Sequence, residues 1–258
     1  MSAAPGIDLR FVQRAASFGA LGVIATLAWW FLVVSEDAMM TMQGDGLIAD
    51  LMQFMMNPGA AGAYYLAATI MWVVMMVAMM TPAVVPMALV FRGMHKGAAV
   101  DLATFCFASG YLAGWVLFSF VAAALQWLLH ERGVLHGMAL ATTAHVAGGL
   151  LVAAGLYQLT PLKEACLAHC RSPLGYFMAH WRDGLGGALQ MGLRHGLFCI
   201  GCCWVLMLLM FAGGAMSVMT MLALSVFILA ERLLPAGPWA ARLPGVGMLI
   251  CGIVLVMA

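Results

Sequence analysis

The stretch YYLAATIMWVVMMVAMMTPAVVPMALV, Tyr64 to Val90, runs for 27 residues without an Asp, Glu, Lys, Arg or His. A helix needs about 20 apolar residues to cross the hydrocarbon of a bilayer, so this segment reads as a membrane span with residues to spare. Working outward from it, further apolar runs lie near 16–34, 101–129, 137–158, 185–211, 215–234 and 245–258. Together they predict an all-α, polytopic transmembrane helical bundle of seven spans, the seventh short. Composition agrees: 65% of the 258 residues are hydrophobic and 8% charged, at a mean hydropathy of +1.04. Roughly a quarter of a soluble domain is charged. No internal repeat is visible, so residues 1–258 are read as a single integral membrane domain. The net charge of +1 offers nothing to a nucleic acid and excludes that class of partner. The run from Ala15 to Val34 lacks a small-residue cleavage pattern before Ser35, Glu36 and Asp37, and reads as a first span rather than a cleaved signal.

Charge orients the spans. With the N-terminus cytoplasmic, the inner segments hold nine basic residues: Arg10, Arg14, Arg92, Lys96, Lys163, Arg171, Arg182, Arg232 and Arg242. The outer segments hold Arg132 alone. The positive-inside bias therefore predicts a cytoplasmic tail over 1–15, an outer acidic loop over 35–63 and a basic cytoplasmic loop over 159–184. Within the outer loop, Leu47, Leu51 and Met55 share one face of a short interfacial helix. Pro82 and Pro86 fall inside the second span, where the carbonyls they free must face protein or a cavity.

Two residue types are abundant, 24 Met and 7 Cys. Five Cys lie in apolar runs, and only Cys166 and Cys170 occupy a polar segment, which is no secreted disulfide framework. The fifth span carries the densest constellation. At 100° per residue, Met191, His195, Cys199 and Cys202 fall on one stripe, with Cys203 beside it. Thioether and thiolate are ligands that Cu(I) prefers, while imidazole accepts copper and zinc alike. Met71, Met75 and Met79 form an i, i+4 row on the second span, with Met76 and Met80 in a second row. Met also fills gaps in packed cores, so it is the density of five in ten residues that points to metal. Helical rise puts Met75 and His195 near the midplane, and Met71, Cys199, Cys202 and His145 in the outer half. His145 is thus a further candidate ligand. Cys166, His169 and Cys170 suggest a cytoplasmic metal transfer site. Met39 and Met42, beside Asp37, suggest an outer capture site. Arg194 is too deep to snorkel and is expected to pair with Glu231 or Asp183.

Several blocks carry a resemblance: Ala78-Met79-Met80 with Pro82, Gly110-Tyr111, Trp115, Phe118-Ser119, and Thr160-Pro161-Leu162-Lys163 with Cys166, Cys170 and Arg171. They continue through Trp181-Arg182, Gly187-Ala188, Met191-Gly192, His195-Gly196, Cys199 and Gly201-Cys202-Cys203-Trp204. Over roughly residues 64–232 the chain resembles a bacterial domain-of-unknown-function family, labelled predicted metal-binding integral membrane proteins. The resemblance implies metal binding in a bacterial inner membrane and supplies no reaction. The expected function is binding of a soft metal, Cu(I), for transport or for delivery to a membrane or periplasmic cuproprotein. Zinc or haem are the alternative cofactors. The enzyme alternative is a membrane thiol-disulfide or quinone-linked oxidoreductase using the Cys199 and Cys202 pair.

Overall fold

The computed structural model describes residues 9–41, 46–95, 99–234 and 238–257, and only the backbone of 9–18 and 238–241. Part of the expected N-terminal tail, Met42 and Lys96 lie outside them. The described residues form eleven helices: α1 Leu9–Thr41, α2 Leu47–Met55, α3 Ala61–Met94, α4 Val100–Glu131, α5 Ala144–Gln158, α6 Pro161–Arg171, α7 Pro173–His180, α8 Gly184–Leu208, α9 Met210–Gly213, α10 Val218–Leu233 and α11 Pro238–Met257. The all-α expectation holds. Four stretches, Gly19–Thr41, Ala61–Met94, Val100–Glu131 and Gly184–Gly213, are long and apolar enough to cross a membrane. The other three expected spans are shorter: α5 has 15 residues, α10 has 16, and the apolar part of α11 is Arg242–Met257.

Local chemistry explains the element ends. Thr160 caps α6, its hydroxyl accepting from Lys163 N, and Pro161 supplies the preset φ of a first helical residue. Ser217 caps α10 through Thr220 N, and Glu36 at the end of α1 accepts from Val218 N at 3.1 Å. The run expected as helix from 137 begins its helix only at Ala144. Residues 139–142 instead exchange backbone hydrogen bonds with the α8–α10 connection, through Thr142 N to Phe211 O and Met216 N to Ala139 O. Gly137, at φ 67°, turns the chain there. The short helix expected in the acidic loop is α2; it buries Leu51, Met52 and Met55 and leaves Leu47 exposed.

α3 runs unbroken through Pro82 and Pro86. Pro82 leaves the Ala78 carbonyl without its helical donor, and Trp29 Nε1 of α1 donates to it at 3.1 Å. A second cross-link on the same helix is polar: Trp72 donates to Gln126, and Gln126 and His130 of α4 both meet the Tyr64 hydroxyl.

The tightest helix pair is α4 with α8, and it decides where the site lies. Gly110 and Gly114 on α4 face Gly192 and Gly196 on α8, so both helices present small residues at i, i+4 and run parallel, Phe107 beside Gly192 and Tyr111 beside Gly196. A Cβ on Gly192 would meet the Phe107 carbonyl, and one on Gly196 would lie 2.8 Å from the Tyr111 carbonyl. Small residues let apolar helices gain dispersion contact across their backbones. α5 and α11 pair likewise but antiparallel, through Gly148 with Gly252 and Gly155 with Gly245.

Candidate metal centre

On α8 the side chains of Met191, His195, Cys199, Cys202 and Cys203 are all buried, whereas Arg194, Leu197 and Trp204 on the other faces are exposed. The helical stripe is thus the inward face. Cys202 and Cys203 both donate to the Cys199 carbonyl at 3.0 Å, which turns the thiols of successive turns to one level.

Three other helices close on that level. From α4, the Tyr111 hydroxyl lies 3.0 Å from Cys199 Sγ, carried there by the glycine contact just described. From α6, Cys170 is buried and hydrogen-bonded to Cys202. That bond, with burial, holds the Cys170 thiol well above the ordinary thiol range. Cys166 lies one turn back and half-buried, its Sγ 2.9 Å from where a Cβ on Gly201 would stand, and burial pushes its thiol up as well. From α10, the Arg232 guanidinium donates to Cys199 Sγ, to Cys202 Sγ at 3.7 Å and to the Tyr111 hydroxyl at 3.4 Å.

The two constellations expected as separate, the α8 stripe and the Cys166–Cys170 pair, are therefore one sulfur cluster. The depth reading from helical rise differs from the structure here. Cys199 and Cys202 sit level with the end of α10 and with α6, both inner in the topology read from charge. The reason is length: α5 ends at Gln158, beside the middle of α8, where Tyr157 bonds the Gly201 carbonyl, so α6 begins there and packs along α8.

The charges sort in a way the sequence did not reveal. Glu231, expected to serve Arg194, instead takes Lys163 Nζ at 2.8 Å on both oxygens and Gln158 Nε2 at 2.6 Å. Asp183 accepts from Trp181, and Arg194 lies exposed with its guanidinium 5.9 Å from the Phe198 ring centre. Arg232 is buried, at 8% exposure, and its described partners are sulfur and phenol rather than carboxylate. Lys163 is only 1% exposed. Replacing it with Met strands the Glu231 charge and is expected to cost about 3–5 kcal/mol of stability, while a Lys163→Met, Glu231→Gln double variant regains most of it. Denaturation midpoints of the purified variants check this.

His195 is 1% exposed, and both its ring nitrogens lack a hydrogen-bond partner. Its ring lies among Tyr111, Tyr176 and Phe107, at centroid separations of 5.5, 5.3 and 6.2 Å. A buried imidazole with neither nitrogen paired carries a desolvation cost that an ion or a donor would relieve. Tyr176 stays a donor, to the Met191 carbonyl at 2.6 Å, since burial pushes its hydroxyl up to about 12.

The remaining candidates are placed as follows. Met71, Met75 and Met79 are buried in the core, as are Met76 and Met80. They lie on α3, which packs on α1, α2, α4, α7 and α10, while α8 packs on α4, α5, α6, α9 and α10. It is Cys170, rather than a methionine of α3, that meets Cys202. His145 is exposed in the first turn of α5, 12 residues or about 18 Å of helix before Tyr157, and is not brought to the cluster. Met39 is buried at 4% exposure rather than open to an arriving ion. Sequence reasoning missed Arg232 as a site residue; an Arg one position after Glu231, at the end of an apolar helix, was the available signal.

Among the described residues, no three His, Cys, Asp or Glu side chains stand ready as a metal-binding group. The thiols are instead bonded in pairs and to the arginine. A family of copper chaperones, PpoB2, matches residues 69–255, which include every helix of this centre. The chain belongs to the PpoB2 copper-chaperone family. No curated protein and no solved structure matches it. The family match supports a copper-related role for the chain.

Proposed function

We propose that this PpoB2 family member binds Cu(I) through the Cys199 and Cys202 thiolates and delivers it to a membrane or periplasmic cuproprotein. In this reading it is a seven-span protein of a bacterial inner membrane with its N-terminus cytoplasmic. The nine-to-one basic asymmetry supports that topology, as do the alternating directions of α3 and α4, α5 and α8, and α5 and α11.

The observation that carries the copper reading is the buried Arg232 guanidinium set against two cysteine sulfurs. A Cu(I) held by two thiolates has a net charge of −1, and one arginine neutralises it in a low-dielectric interior. Lys163 and Glu231 already neutralise each other beside it. Cys170 gives a third thiol for exchange, so the ion can move by replacing one sulfur at a time. His195 and Met191 continue the stripe by one and two turns. Burial of Cys170, Cys199, Cys202 and Cys203 favours a small ion over exchange with a substrate protein's disulfide, which needs an exposed thiol. Three aromatic rings around His195 leave its faces covered, against haem.

Cu(I) titration of anaerobically purified, reduced protein against a chromogenic chelator tests the reading. Wild type should hold a tight equivalent with sulfur in its X-ray absorption spectrum, and a Cys199→Ser, Cys202→Ser variant should lose it. A double variant that keeps that equivalent, or a wild type that holds none, ends the proposal.

A further inference from the structure

His169 and His180 lie outside the thiol cluster, yet they meet each other, with ring centroids 6.4 Å apart and planes at 50°. They come from different helices, the end of α6 and the end of α7, and both are partly exposed. Each places Nδ1 against a backbone carbonyl one turn back: His169 on Ala165 O at 2.9 Å, His180 on Tyr176 O at 3.0 Å. A carbonyl only accepts, so each Nδ1 carries a proton, and in the neutral imidazole this leaves the lone pair on Nε2. This is how proteins set a metal-ligating histidine.

The surroundings hold the rings in place. His169 stacks on Phe198 at 4.2 Å with the planes 6° apart, and His180 packs on Tyr176 at 5.0 Å. Both rings line an open cavity of about 250 Å³ that also includes Ser172 and Tyr176. Two imidazoles at metal–nitrogen distances of 2.0–2.1 Å put their centroids about 6 Å apart when they stand nearly opposite, the two-ligand arrangement that suits Cu(I). Next to His169 in the chain is Cys170, whose thiol reaches Cys202.

We propose that His169 and His180 form a second metal site, a port at the α6–α7 lip that takes Cu(I) from a weakly ligated, non-thiol complex and passes it through Cys170 to the buried thiolates. This rests on the thiol centre holding Cu(I), and it adds an entry point made of imidazole. Imidazole binds Cu(I) less tightly than thiolate does, so transfer inward runs downhill.

The test uses full-length protein in detergent and Cu(I) supplied anaerobically as its acetonitrile complex. Wild type should take a tight first equivalent, and a weaker second one with nitrogen in its X-ray absorption spectrum. In a His169→Gln, His180→Gln variant the second equivalent should disappear and loading of the first should slow by about 10–100-fold, with its final affinity unchanged. As a check free of mutation, the second equivalent should block carbethoxylation of His169 and His180 in the wild type. A second equivalent that protects neither ring, or an unchanged loading rate in the variant, overturns the port while leaving the first equivalent intact. Absence of the first equivalent instead fails the thiol-centre reading.

Discussion

An Arg232→Met variant is expected to bind Cu(I) about 10²–10³-fold more weakly than wild type, the equivalent of the 3–4 kcal/mol at stake when a buried charge loses its partner. Without the guanidinium, a bis-thiolate copper complex would be a naked anion beside Tyr111 and a Lys163–Glu231 pair that is already neutral. The thiols would hold their protons and the ion would compete poorly for them. Arg232→Lys should recover part of the loss: the charge remains, but a point ammonium cannot reach Cys199, Cys202 and Tyr111 together as the planar fork does. Chelator competition on the three proteins gives the order wild type, Lys, Met. Equal affinity for wild type and the Met variant would remove the charge-balance argument for copper at this site.

Gly192→Ala is expected to destabilise the protein on the order of 3 kcal/mol and to lower its copper occupancy with it. The added methyl would run into the Phe107 carbonyl and lie 3.0 Å from Tyr111 N, both of them backbone atoms that no side-chain rotation can move. α4 and α8 must then part, and with them the Tyr111 hydroxyl and Cys199. Gly186, on the same helix, has nothing within 4 Å of its would-be Cβ. Gly186→Ala should therefore be neutral or slightly stabilising, by the helix propensity gained. Thermal midpoints in one detergent compare the pair. If Gly192→Ala melts with Gly186→Ala, the α4–α8 contact does not set the geometry of the centre.

Much of this architecture was legible in advance because it is local. Periodicity alone shows that Met191, His195, Cys199 and Cys202 share a face, since 100° per residue holds wherever the helix is placed. Hydropathy places the cores of the long helices, and turn chemistry at Thr160-Pro161 marks the start of α6. Depth was less legible. Rise per residue measures position along a helix but not where that helix begins relative to its neighbours, so Cys199 and Cys202 read as outer although α6 and Arg232 reach them. His145 misled for the same reason, as its run becomes helical only at Ala144 and leaves it in the first turn. Pairing of charges was illegible too. Arg194 and Arg232 look alike in sequence, and only packing shows which is buried.

By itself, then, the sequence determined an all-helical, strongly apolar chain whose α8 carries soft ligands along one face. Composition and periodicity depend on nothing beyond the residue and its near neighbours. Only the tertiary structure decided that Cys170, 29 positions before Cys199, and Arg232, 33 positions after it, converge on that face. That convergence depends on how short α5 is, where α6 turns back and how closely glycine lets α4 approach α8. Each is set by contacts between distant segments.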